Sequence, residues 1–164
     1  APLHLLWKGI GQFLARHPHY RYLFGPVSIS NHYHSVSVRL MADYLKRHNL
    51  SAELARRIKP TRPYKGKPSG LWDEEVTGRL LTDLDEISSL IAQIENDGHG
   101  VPILLKHYLR LSGQVLGLNI DPRFSDALDA LILVDLLKTD RRILSKYFGK
   151  AEALKYLGWH GVQA

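Results

Sequence analysis

Apolar residues fall at helical spacing at both ends of the chain, and at alternating or continuous spacing near residue 25 and between 114 and 135. Leu3, Leu6, Trp7, Ile10, Phe13 and Leu14 trace one face of a helix over residues 2–17, which Pro18 stops because proline cannot continue the ladder. Residues 20–30, YRYLFGPVSIS, are rich in aromatic and β-branched side chains and predict a strand, one that Gly25-Pro26 should break or bulge. Ser35 is expected to cap a helix whose inner face carries Val36, Leu40, Met41, Tyr44 and Leu45. A short helix follows at 51–58. Helical spacing returns with Leu80, Leu81, Leu84, Ile87, Leu90, Ile91 and Ile94, ending at Asp97-Gly98, and again over 101–112, closed by Gly113.

The period then changes. Residues 114–120, QVLGLNI, and 127–135, ALDALILVD, read as strands joined by the turn-rich DPRFSD. Leu131-Ile132-Leu133-Val134 is apolar on both faces, which places that strand in the centre of its sheet. Helices at 139–148 and 151–157 finish the chain, with Gly149 and Gly158 as stops. The pattern is an α/β domain of about three strands flanked by helices. A central strand covered on both faces normally belongs to a larger sheet, so further strands are expected from absent sequence or from a second chain. The first helix has no capping residue and no initiator methionine before it, as though the chain were cut from something longer.

At 164 residues the chain fits one domain with one core. It has no apolar run near the roughly 18 residues a spanning helix needs, and its amphipathic opening is not a secretory signal. It has no cysteine, which excludes disulfides, zinc thiolates, iron–sulfur clusters and a cysteine nucleophile, and which fits the cytosol.

The net charge of +6 is unevenly spread: residues 1–67 carry 12 Lys/Arg against 2 Asp/Glu, and residues 68–164 carry 10 against 14. That imbalance suggests an anionic partner: an acidic protein, a phosphate-bearing cofactor, lipid headgroups or nucleic acid. A solvated, mixed surface is the plainer alternative. The basic centre is a long loop at 59–75 without periodicity; Arg56 and Arg57 just before it and Lys59, Arg62, Lys65 and Lys67 within it occur without an acid among them. Pro63, Tyr64 and Trp72 add aromatic character, but no established nucleic-acid motif accompanies them, so nucleic acid is the least supported partner.

His32 and His34 lie just past the first predicted strand. Alternate residues of a strand share a face, so both rings could reach one substrate; equally, both could be surface histidines. No third ligand follows at a suitable spacing, and no metal site is expected. No histidine precedes Asp by five positions, and no G-x-S-x-G elbow, P-loop or G-x-G-x-x-G is present, leaving serine-triad and nucleotide chemistry unsupported. In the helix at 101–112, Lys106 and Arg110 are four residues apart and share a polar face.

The run Val101 to Gly113, then Gly117 to Ile120, Asp121, Phe124 and the apolar strand to Asp135, resembles the fatty-acyl N-acyltransferases of the GNAT superfamily. So does Leu6-Trp7-Lys8-Gly9-Ile10 followed by Tyr22-Leu23-Phe24-Gly25. These enzymes acylate ornithine or glycine in making amino-acid-based membrane lipids; such sequences are often labelled hemolysins, which describes no chemistry visible here. The resemblance implies the C-terminal part of a GNAT-like domain with a few-stranded mixed sheet. It implies transfer of a fatty acyl group to an amine from the phosphopantetheine thioester of acyl carrier protein, or from acyl-CoA, with no resident cofactor.

The strand at 20–30 would form one side of a splayed parallel pair holding the thioester arm. His32 or His34 would relay protons while Asn31 and Ser30 polarise the carbonyl. Lys59, Arg62, Lys65 and Lys67, with Lys106 and Arg110, would receive the acidic carrier. The family's N-terminal strands and their acidic and arginine motifs do not precede Ala1, so the chain is expected to be incomplete for catalysis. The implied location is cytoplasmic, with peripheral contact at the inner membrane surface. The alternative is a non-catalytic membrane-surface or protein-interaction module built on the same basic loop.

Overall fold

Trp7, Gly11 and Leu14, one helical turn apart, form the buried stripe of α1 (Pro2–Arg16) in the computed structural model, which describes residues 2–66 and 82–162. The remaining helices are α2 (Ser35–Tyr44), α3 (Ala52–Ala55), α4 (Leu84–Ile94), α5 (Ile103–Arg110), α6 (Arg141–Phe148) and α7 (Lys150–Trp159). The strands are β1 (Tyr22–Ile29), β2 (Gln114–Asp121) and β3 (Ala127–Asp135), in the order β1-β3-β2. The fold class is therefore the one the pattern predicts, α/β with three strands flanked by helices, compatible with part of a GNAT-like fold; the three described strands are antiparallel, where a mixed sheet was expected. The doubly apolar strand β3 is central.

β2 and β3 pair antiparallel from Gln114↔Leu133 to Asp121↔Ala127, with Leu116 bulged between Val115 and Gly117. The hairpin turns through Pro122–Phe124 and then Ser125 and Asp126, both in the left-handed region. β1 runs opposite to β3, because Arg21 meets Asp135 while Ser28 meets Asp129. A single parallel bridge, Leu50↔Val115, lies on the outer side of β2.

Four expectations are corrected. β1 continues unbroken through Gly25-Pro26; it has one strand neighbour among the described residues, and proline's missing donor is tolerated on an edge. α2 starts at Ser35, which is therefore its first helical residue; His34 holds the cap position without a side-chain bond, and Val36 is exposed while Ser37 is buried. Gly113 is not the left-handed stop after α5: Ser112 takes that conformation, and Gly113 is needed because a Cβ there would lie 2.5 Å from the Tyr108 carbonyl oxygen. Gly158 lies inside α7, whereas Gly149 does separate α6 from α7, with φ at 91°.

The chain forms two compact units. One gathers the residues up to Leu23, Arg110–Ser112, and those from Val134 onward. In it α1 packs on α6 through Trp7 against Tyr147, ring centroids 5.6 Å apart, and Gly11 allows the helices to touch backbone to backbone. Gln12 Nε2 donates to the Phe148 carbonyl (2.8 Å), and the buried Tyr156 hydroxyl donates to the Tyr20 carbonyl (2.8 Å). Arg21 grips Asp135 with two charge-assisted bonds of 2.8 and 2.6 Å. That guanidinium holds the Asp135 carboxyl below the usual carboxylate range, and burial pushes the Tyr156 phenol up to about 12.

The other unit spans Phe24–Leu109 and Gly113–Leu133. α4 is capped by Asp83, whose carboxylate accepts from the backbone N–H groups of Asp85 and Glu86, and it buries Ile87, Ser88 and Ile91. The described part of the basic loop is not free. Tyr64 N–H donates to the Leu118 carbonyl (3.2 Å), Ile120 N–H to Arg62 (2.8 Å), and Arg62 N–H to Asn119 Oδ1 (2.7 Å). Residues 62–64 thus lie along the outer edge of β2, which occupies the bonds that edge would otherwise expose. The rest of the loop, from Lys67 on, lies outside the described residues.

Candidate functional site

β1 alternates inward Val27 and Ile29 with outward Ser28, and this sets the last turn of the strand at the mouth of two adjoining cavities. Ser28 lines both, and its hydroxyl donates to Asp129 Oδ1 (2.6 Å) on β3. The first cavity, about 300 Å³, is lined by Ser30, Asn31 and His32 together with Phe124, Ser125 and Ala127 of the β2–β3 turn. The second, about 460 Å³, is lined by Tyr33, Ser88, the segment His99–Leu104 and Lys106, and is largely apolar.

Three of the four residues expected to act at the end of the strand are thus brought to one cavity. The geometry that motivated pairing the histidines does not hold, however. The strand ends at Ile29, and residues 30–34 form a turn closed by Tyr33 N–H to the Ser30 carbonyl (3.3 Å), so strand alternation does not govern His32 and His34. His32 N–H donates to Ser30 Oγ (3.1 Å), and the Asn31 amide donates to the Ser125 carbonyl, tying the turn to the hairpin. His34 lines neither cavity; its backbone N–H donates to Glu95 Oε1 (2.9 Å) at the start of α2. Among the described residues no group of three or more His, Cys, Asp or Glu is placed to hold a metal ion.

The second cavity contains chemistry that the sequence reading passed over. His99 Nδ1 lies 2.7 Å from Asp97 Oδ2, and the His99 backbone N–H donates to Asp97 Oδ1 (3.0 Å). The carboxylate raises the His99 pKa by hydrogen bonding and charge, and His99 in return lowers that of Asp97. Both side chains are exposed, and His99 lines the cavity.

The turn that carries them is rigidly seated. A Cβ on Gly100 would come within 2.5 Å of the Ser88 carbonyl oxygen; Val101 N–H donates to Ser88 Oγ (3.1 Å), and the Tyr33 hydroxyl donates to the Gly100 carbonyl (2.7 Å). Burial raises the Tyr33 phenol, with Asp97 and Glu95 adding to it, so it remains a donor at neutral pH. The available signal was Asp97-Gly98-His99-Gly100, a turn in which an acid and a histidine two residues apart can meet.

The basic residues are dispersed. Lys106 lines the second cavity and pairs with Asp85 (3.7 Å), whereas Arg110 ends α5 and lines neither cavity. Lys59, Arg62 and Lys65 are exposed on the segment beside β2, and Lys67 lies outside the described residues. No helix among the described residues is long and apolar enough to cross a membrane.

No family model matches the chain, and no solved structure matches it significantly. The chain is 30% identical over 145 residues to the glycine N(alpha)-acyltransferase of Bacteroides thetaiotaomicron, an alignment covering 84% of this chain and 41% of that protein. The chain spans about two fifths of the length of the curated relative it matches. It is thus similar, over most of its own length, to part of an acyltransferase.

Proposed function

We propose that this chain forms part of an N-acyltransferase that moves a fatty acyl group from a thioester, on acyl carrier protein or CoA, to the amine of a small amino acid such as glycine. The observation that carries the reading is the similarity to a glycine N(alpha)-acyltransferase over 84% of the chain. The paired cavities at Ser28 support it, because acyl transfer to an amine needs two substrates to meet, a base, and a donor for the developing oxyanion.

In this reading the amine nitrogen attacks the thioester carbonyl carbon, forming the C–N bond and a tetrahedral oxyanion. The C–S bond then breaks, and the sulfur leaves as a thiolate that takes up a proton. With Nδ1 held by Asp97, His99 Nε2 is the nitrogen available to accept the proton the amine gives up. Asn31 and Ser30 would stabilise the oxyanion, and His32, on the same cavity, would protonate the sulfur. Exposed Lys59, Arg62 and Lys65, with Lys67, would receive an acidic carrier.

The test is acyl-amide formation, read by mass spectrometry, from acyl carrier protein thioester and a panel of amino acids. It uses a protein containing this chain within a length comparable to the relative's. Because Asp97 raises the His99 pKa, Asp97→Asn should move the acid limb of kcat/KM to lower pH and reduce its plateau by roughly 10²-fold. No product with any amine would overturn the reaction class. Unchanged rate and pH profile in Asp97→Asn and His99→Gln would overturn the assignment of the base.

A further inference from the structure

α1 carries more apolar surface than its packing uses. Its buried stripe is Trp7, Gly11 and Leu14, but Leu6 and Phe13, on the neighbouring stripe, are 59% and 51% exposed. They line an open apolar groove of about 430 Å³ with Ile10, Tyr20 and Tyr22, the last 51% exposed. Phe13, His17, His19 and Tyr20 continue it as a chain of ring contacts 4.2 to 6.0 Å apart. A contiguous exposed apolar patch rimmed by polar and charged residues is the feature that interaction surfaces share.

Charge identifies the partner. Divided by fold instead of by position along the sequence, the unit that bears this groove holds 10 Lys/Arg against 3 Asp/Glu, a net +7, while the other unit is close to neutral at −1. The loop at 59–67 belongs to the unit that is close to neutral in total. The unbalanced positive field surrounds α1, with Lys8 and Arg16 exposed on the helix itself and Arg142, Lys146 and Lys150 exposed on α6 and α7.

We infer that α1 is an interfacial membrane-contact element. The Leu6–Ile10–Phe13 stripe and the Tyr20 and Tyr22 rings enter the headgroup boundary of an anionic bilayer, and the net positive unit is drawn to its surface. An amphipathic helix with an apolar face, basic flanks and aromatic residues is what such a surface binds. The occupant is a lipid surface and not an acidic protein, because the groove lining is almost wholly apolar and carries no Lys or Arg to pair with carboxylates. The inference is independent of the acyl-transfer reading, and either can fail alone.

The test is sedimentation of the chain with vesicles of phosphatidylcholine alone or with about 30% phosphatidylglycerol added, at low and high salt, since each basic residue at an anionic surface contributes about 1 kcal/mol, or about fivefold. Binding should require the anionic lipid and fall steeply with salt. The Leu6→Asp/Phe13→Asp double variant, checked by circular dichroism, should bind about tenfold more weakly or less. The milder Leu6→Ala/Phe13→Ala variant covers the case in which the aspartates disturb the fold. Reversing Lys59, Arg62 and Lys65 should leave binding unchanged. Binding that survives both α1 variants, or is lost only on reversing the loop charges, overturns the inference. So does an absence of vesicle binding accompanied by a dimer that the α1 variants dissociate.

Discussion

Replacing Gly11 with alanine places a methyl group where α1 and α6 touch. The added Cβ would lie 2.4 Å from the Tyr147 carbonyl oxygen, 2.7 Å from its carbon and 3.1 Å from the Phe148 nitrogen, against 3.4 Å or more for ordinary contact. All three neighbours are backbone atoms, so no side-chain rotation relieves the overlap, and the helices must move apart by roughly 1 Å. Overpacking of this kind costs about 1–3 kcal/mol, from which alanine's better helix propensity returns about 1 kcal/mol. The net expectation is a loss of up to about 2 kcal/mol.

Gly9, in the same helix two residues earlier, is the internal control. A Cβ there meets nothing within 4 Å, so Gly9→Ala should stabilise by about 0.5–1 kcal/mol through propensity alone. Urea unfolding followed by far-ultraviolet circular dichroism should therefore separate the two variants by about 2 kcal/mol in opposite directions from the parent. The reasoning is refuted if Gly11→Ala is as stable as Gly9→Ala, because the backbone contact between α1 and α6 would then not limit the packing.

Asp135 makes the acid limb of stability predictable in sign. Its pKa is lowered in the folded state, so its contribution is present above the unfolded carboxylate pKa, about 4, and is lost as pH falls through the lower folded value. Asp135→Asn should flatten that limb in a pH series of thermal melts; an unchanged limb would count against the Arg21–Asp135 pair as its source. Tyr156→Phe removes the donor to the Tyr20 carbonyl while keeping the ring, and should lower stability by about 1–2 kcal/mol in the same urea assay, whereas a neutral result would mean the carbonyl finds another donor.

The elements were legible because each is governed by local periodicity. The sheet order followed from the same signal, since Leu131–Val134 can sit only where both faces are covered. At the end of β1, Ser30, Asn31 and His32 do line one cavity, but the expected pairing of His32 with His34 on one strand face does not occur. Strand alternation was extended past Ile29 into a turn, which the Asn31 amide ties to Ser125 of a hairpin 94 residues away in sequence. His99 was passed over because an acid two positions earlier gains meaning only when a tight turn brings Nδ1 to the carboxylate and a cavity opens beside them.

Periodicity, the lack of cysteine and the charge total, all properties of neighbours or of sums, were thus determined by the sequence alone. Only the tertiary structure decided which part of an apolar stripe is covered. Helical spacing put Leu6, Trp7, Phe13 and Leu14 on one broad face, but packing against α6 and α7 buries only Trp7, Gly11 and Leu14 of α1. It also decided where the charge is unbalanced. A field adds over distances in space, and the fold regroups a sequence asymmetry of +10 and −4 into units of +7 and −1.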